Sequence, residues 1–234
     1  DVYFDLVEMY VAQQEYQKAL DTLGEIETVF GMTESVAVYR FNLLMQMQRQ
    51  EEAYKSLEEY NQKYSSPYVL TTLADWHISQ YKDSLALAYY SEALDLDSEY
   101  APAQVGKAEV LRMTRNYGGF FEMLNKFVRN EDASVGAKTD YVMAIVQRTD
   151  PKFLRTFSSE IDTVMTGLLA KHENDSSALD LAGLWYYNTG RNKQADKCFK
   201  KNVTVHPNSM LTAANYVEFL MYAEMWEELS SEAM

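Results

Sequence analysis

Small residues recur in this chain at a nearly constant step, and that spacing limits the fold more than any other feature. Ala19 sits in EYQKALDTL, Ala53 in QEEAYKSL and Ala86 in KDSLALAYY, at steps of 34 and 33 residues. Phe120, in NYGGFFEML, holds the same phase 34 residues further on. A gap of 75 residues follows, one ordinary step plus one of about 41. Ala195 in NKQADKCF then resumes the phase, and Leu229 in MWEELSS lies 34 beyond it. A period of this length marks a stacked array, in which a short supersecondary unit repeats and each copy buries its apolar face against the next.

The unit is helical. One phase reads Met9, Leu43, Trp76, Val110, Trp185 and Phe219, all large and apolar; the next reads Tyr10, Leu44, His77, Leu111, Tyr186 and Leu220. Apolar positions three and four apart form one face of an α-helix. An apolar arc this wide needs cover on two sides, which stacking helix pairs in a row supplies. The alanines suit crossings where two backbones approach closely. Only 9 Gly and 4 Pro punctuate the chain, too few for the turns of an all-β fold. Pro67, Pro102, Pro151 and Pro207 fall between helical patterns or at their starts, where a missing N–H matters little. Asp150-Pro151 reads as an N-cap and a first-turn proline. The helix it opens is apolar at Phe153, Phe157, Ile161, Met165 and Leu169 and is expected to run to about His172. It is longer than its counterparts, Gly167 is the expected bend, and the helix is expected to interrupt the even curvature of the stack.

At Leu179, Ala182, Gly183, Tyr186, Gly190, Ala195, Phe199 and Pro207 the chain resembles the tetratricopeptide repeat family. The first repeat carries the pattern in Tyr3, Leu6, Val7, Tyr10, Ala19, Leu23 and Ile26, and the third in Leu70, Leu73, Ala74, His77, Ala86, Tyr90 and Ala93. The resemblance implies an all-α, right-handed superhelix (an α-solenoid) of antiparallel helix pairs in a single domain spanning residues 1–234. About seven repeats are expected, at 2–31, 35–65, 68–98, 102–132, an atypical and long 133–173, 177–207 and a truncated 211–234. Three positions depart from the family pattern: Arg40 and Lys107 stand where an apolar residue is preferred, and Phe120 where a small one is. Register in those two helices is open to a shift of one residue. The atypical repeat carries no family signature.

Charge and composition exclude several functions. The net charge is −14, with 35 acidic against 21 basic residues, a surface that repels phosphate backbones and anionic lipid. No apolar run approaches the roughly 18 residues of a membrane span. One cysteine, Cys198, rules out an internal disulfide and a cysteine metal cluster. Lys197, Lys200 and Lys201 stand near it, yet an inert thiol is the reading, since its helix has no histidine. No Gly-rich phosphate loop, HExxH or GxSxG is present, so no enzyme activity, cofactor or metal is expected. His77 replaces an inter-helix tyrosine and is expected to pack with a hydrogen-bond partner. His172 ends a helix, where a positive charge suits the dipole, and His206 lies in a turn. The sequon Asn202-Val203-Thr204 reads as chance.

The family's first helices line a concave groove. Carried over by register, one groove row is Glu8, Asn42, Asp75, Glu109, Leu184 and Glu218, and a second is Val11, Met45, Ile78, Arg112, Tyr187 and Met221. Tyr39, Asn188, Asn215 and Tyr222 flank them. The expected binding set is therefore Glu8, Tyr39, Asn42, Asp75, Glu109, Arg112, Leu184, Tyr187, Asn188, Asn215, Glu218 and Tyr222. Some family members grip acidic chaperone tails with Lys, Asn and Arg; with Arg112 the one base in these rows, no such binding is expected. The resemblance implies an interaction scaffold holding a protein or peptide segment, basic or amphipathic, and not nucleic acid. The chain opens on helical pattern at Asp1 and stops in mid-pattern at Met234. It therefore also reads as an accessory segment of a larger enzyme or envelope assembly factor. A monomer or a weak homodimer through the repeat ends, at Met225, Trp226 and Leu229, is expected. So is a soluble setting, in the cytoplasm or a bacterial periplasm or envelope.

Overall fold

A computed structural model describes residues 2–226. The described residues form fourteen helices and no strand. They pair as α1 (Val2–Ala12) with α2 (Tyr16–Phe30), α3 (Glu34–Gln46) with α4 (Gln50–Tyr64), and α5 (Pro67–Ser79) with α6 (Asp83–Leu96). Next come α7 (Ala101–Met113), α8 (Tyr117–Arg129), α9 (Val135–Arg148), α10 (Pro151–Thr156) and α11 (Ser158–Lys171). Then α12 (Ser176–Asn188) pairs with α13 (Asn192–Val205), and α14 (Met210–Tyr222) follows. The chain divides into two compact units, residues 1–120 and 121–234, the border falling within α8. Leu229 and the second helix expected after α14 lie outside the described residues.

Side chains start five of the first helices. Thr33, Ser66, Ser134, Asp175 and Ser209 each accept a hydrogen bond from the backbone N–H three residues on, satisfying a donor the helix leaves open. Each first helix then closes in the same way. The carbonyls of Tyr10, Leu44, His77, Leu111, Tyr186 and Leu220 accept from the N–H five residues further on. The residue before that donor is left-handed: Gln14, Gln48, Tyr81, Arg115, Gly190 and Glu224, with φ between 56° and 75°. These are Schellman closures, which favour glycine, yet only one of the six has it. The atypical repeat has no such turn; α9 ends at Arg148 with Thr149 as its cap, and Asp150 caps α10.

In the first unit, Val7, Ala19, Leu23, Val36 and Leu43 form one core cluster over α1–α3, Ala37, Phe41, Leu44, Ala53 and Leu57 form the next, and Leu70, Ala86, Tyr90 and Val110 the next. Each cluster draws on consecutive helices, so no repeat buries its face alone. Met9, expected in this apolar set, is instead exposed. Arg40 keeps the register because its half-buried guanidinium reaches Glu27 at 2.6 Å, with Phe41 and Leu44 buried as the phase requires. Phe120 fits the alanine position because Gly119 beside it takes the close contact: a Cβ there would lie 3.3 Å from the Leu111 methyls.

In the second unit the atypical repeat is a helix pair with a broken second member. The expected continuous helix from Pro151 stops at Thr156, and α11 begins at Ser158. The break lies at Phe157, whose φ of −109° and ψ of 25° leave the helical region, while Phe153 and Phe157 turn together onto Phe121. Gly167 does not bend the helix. It is buried and helical, and a Cβ there would come within 2.5 Å of the Arg129 guanidinium. The exposed Arg129 side chain lies over the glycine.

Candidate functional site

First helices stack side by side within each unit: α3 on α5 and α5 on α7 in the first, α9 on α12 and α12 on α14 in the second. In each unit, residues facing outward from them line a surface of that unit.

In the first unit a cleft of about 440 Å³ is walled by Val11, Val38, Tyr39, Asn42, Leu43 and Tyr68, among others, without a charged residue. Tyr39 donates to Glu8 Oε1 at 3.1 Å, and this bond, with burial, raises the Tyr39 pKa. Asp75 accepts from the Tyr90 hydroxyl. Burial pushes the Asp75 carboxyl above its usual range, the tyrosine bond opposing it. Arg112 donates to Glu109 Oε2 at 2.7 Å. The expected acidic row in this unit is thus engaged with its own side chains, and Arg112 neutralises one member.

The second unit holds a different cleft, of about 430 Å³. Its floor is Met143, Leu184, Tyr187, Phe199 and Phe219, its rim carries Asp140, Asp180, Glu218, Asn215 and Tyr222, and no Lys, Arg or His lines it. Tyr187 meets Phe219 edge-on at 5.7 Å, and Phe199 tilts against Phe219 at 5.0 Å. Phe199 is seated by Gly183, where a Cβ would lie 2.7 Å from the ring. Asp180 ties three helices: it accepts from Asn202 Nδ2 of α13 at 2.7 Å and Asn215 Nδ2 of α14 at 2.8 Å. Burial raises its pKa, those two amides holding it partly down. Such a carboxylate gains most when a cation arrives beside it.

Leu184, Tyr187, Asn215, Glu218 and Tyr222 of the expected set come together here. Asn188 does not; it borders a separate hollow with Val146, Pro151 and Arg155. Sequence reasoning missed Thr139, Asp140 and Met143, because the atypical repeat offered no register for α9. It also missed Asp180, although that residue stands one turn before Leu184 on the same face. Asn202, noted only as part of a sequon, is fully buried and structural.

Two single-residue expectations change, those for His77 and His172. His77 is buried, but neither ring nitrogen has a hydrogen-bond partner; it lies stacked on Tyr89 at 5.2 Å and edge-on to Tyr54 and Trp76. Burial, then the Lys82 ammonium, hold its pKa below the usual value. His172 is not a helix-end cation: its Nε2 lies 3.0 Å from Lys138 Nζ, and burial with that ammonium lowers its pKa. Burial pushes the Cys198 thiol up to about 11, and Lys201 only slightly opposes it. Among the described residues no group of His, Cys, Asp and Glu is placed to hold a metal ion. No described helix is long and apolar enough to cross a membrane.

No protein-family model matches the chain, and no curated protein matches it. Solved structures do. A tetratricopeptide repeat protein from Parabacteroides merdae aligns over 99% of this chain and 88% of its own, with 14% identity and a TM-score of 0.52. PilF of Pseudomonas aeruginosa aligns over 95% and 96%, with 13% identity and a TM-score of 0.53. The C-terminal part of a TPR repeat-containing protein from Cytophaga hutchinsonii aligns over 97% and 88%, with 13% identity and a TM-score of 0.57. The chain therefore has the tetratricopeptide-repeat fold, an all-α solenoid of helix pairs.

Proposed function

We propose that this chain is a non-catalytic interaction scaffold whose second unit grips a basic or amphipathic protein segment in the cleft between α9, α12 and α14. The cleft's composition carries the reading: an apolar and aromatic floor under three carboxylates, with no basic residue in its lining. Burial of a ligand's apolar side chains on Leu184, Tyr187 and Phe219 supplies affinity. Asp140, Asp180 and Glu218 select and steer cationic neighbours. The first unit's own uncharged cleft at Tyr39, Asn42 and Tyr68 suits apolar or tyrosine-contacting residues.

Fluorescence anisotropy with labelled cationic amphipathic peptides tests this, with length-matched anionic peptides as controls. Cationic peptides are expected to bind, and Asp140→Lys with Glu218→Lys to slow association roughly tenfold or more. Equal binding of anionic peptides, or unchanged binding by the charge-reversed variant, refutes the reading.

A further inference from the structure

Among the described residues Lys138 is the one buried Lys, Arg, Asp or Glu, only 1% exposed. Burying an ammonium is costly unless its donors are met. Its Nζ donates to the backbone carbonyl of Asn130, just past the end of α8, and lies 3.0 Å from Nε2 of His172, the C-cap of α11. Asn130 is itself buried, its side-chain oxygen accepting from the N–H groups of Asp132 and Ala133. Lys138 thus ties α9 to the ends of two other helices of the second unit. An ammonium has three donors and no acceptor, so the His172 nitrogen facing it is the bare nitrogen of a neutral imidazole. Protonation there removes an acceptor from Lys138 and sets two cations 3.0 Å apart. The other charges near His172 are Lys171 on its own helix, paired with Glu131 at 2.6 Å, and Asp175, which caps α12; Glu173 in the same turn pairs with Lys201 of α13 at 3.8 Å. Burial, then Lys138, hold the His172 pKa below its usual value, with Asp175 opposing and Lys171 adding slightly.

The residues that follow Lys138 on α9 wall the cleft: Thr139, Asp140 and Met143 line it, and Thr139 Oγ1 lies 3.4 Å from Ser177 Oγ on α12. We propose that the Lys138–His172 contact is an acid-released latch on α9, holding that wall of the cleft in place at neutral pH and freeing it, and any ligand bound there, on acidification. The release of a ligand rests on the reading of the cleft as a binding site; the latch on α9 does not. Because the folded pKa of His172 is lowered, the hold is complete above the free value of about 6.5 and is lost as pH falls through the folded value. His206 is no second latch. Its Nε2 lies 2.8 Å from the Asn174 carbonyl, an acceptor, so that bond survives protonation. Asp180 weakens the cleft's grip on a cation in acid by a separate route, since burial raises its pKa. Binding therefore has two sources of acid sensitivity, and only one of them passes through α9.

Amide hydrogen exchange of the whole chain without ligand tests the latch. Amides of α9 are expected to exchange roughly tenfold faster at about pH 5 than at about pH 7.5, once the intrinsic pH dependence of exchange is removed. In His172→Gln the side-chain carbonyl accepts from Lys138 at either pH, and the acceleration is expected to disappear; in His206→Gln it is expected to remain. Unchanged α9 exchange in the parent, or equal acceleration in His172→Gln, overturns the proposal. Imidazole nitrogen NMR of the parent decides if His172→Gln does not fold: a bare Nε2 that titrates below the free value supports the latch, and an Nε2–H tautomer at neutral pH overturns it. A labelled cationic amphipathic peptide then reads the cleft. Binding that weakens less on acidification in His172→Gln than in the parent supports release through α9, and identical pH profiles in the two proteins overturn it. Absence of peptide binding at about pH 7.5 refutes the scaffold reading instead, and the exchange result still decides the latch.

Discussion

Gly106 is the position where one added methyl group tests the packing most directly. It lies on α7 beneath the ring of Tyr90, and a Cβ there would come within 2.3 Å of Cζ and 2.5 Å of the hydroxyl oxygen. Tyr90 is almost fully buried, so it cannot swing into solvent, and its hydroxyl is held by Asp75 on α5. In an open helix, Gly106→Ala would gain about 1 kcal/mol of propensity. Here the methyl costs about 1–3 kcal/mol of overpacking. Displacing the ring also breaks a hydrogen bond to a carboxylate, for about 1.5–3 kcal/mol more. The balance is a destabilisation of about 3 kcal/mol, or roughly 6–12 °C in melting temperature for a chain of this size. Chemical denaturation followed by circular dichroism measures it. The same substitution in a Tyr90→Ala background, where the ring is gone, is expected to be neutral or to stabilise by up to about 1 kcal/mol. A Gly106→Ala protein as stable as the parent, or one equally destabilised in both backgrounds, would show that the Tyr90 contact does not govern this position.

Two other measurements follow from the turns and the buried histidine. Arg115, at φ 61°, occupies a left-handed closure that costs a non-glycine residue about 1–2 kcal/mol. Arg115→Gly is therefore expected to raise stability by about 0.5–1 kcal/mol after glycine's unfolded-state entropy, and Gly190→Ala to lower it by about 1 kcal/mol or more; a thermal melt that reverses either sign would sink the assignment. His77 is faced by Tyr54 and Glu58 of α4, Trp76 of its own helix, Tyr89 of α6 and Lys82 of the intervening turn. Because its folded pKa is lowered, the unfolded chain binds more protons below the free value of about 6.5, and stability drops as pH falls from there toward the folded value. His77→Phe is expected to flatten that part of the profile. An unaltered slope between about pH 7 and pH 5 would locate the acid sensitivity elsewhere.

The sequence by itself determined the helix pairs. Period and phase, read from Ala19, Ala53, Ala86 and Ala195, placed most of the buried faces even where Arg40 and Phe120 break the family pattern, with Met9 the exception, because burial on a helix follows a spacing of 3.6 residues that is local and legible. Leu184, Tyr187, Asn215, Glu218 and Tyr222, which share the register of the repeat, also meet along one cleft. Tertiary structure decided what local spacing does not encode. The break at Phe157 rather than Gly167 comes from three phenylalanines meeting across helices. The missing partner of His77, the contact of His172 with Lys138 and the engagement of Glu8, Asp75 and Glu109 by Tyr39, Tyr90 and Arg112 all depend on which side chains arrive opposite one another. Asp140 and Asp180 belong to the cleft for the same reason. A helix's apolar face follows from its own periodicity, whereas the charge and hydrogen bonding of a surface between helices follow from how neighbouring helices stack.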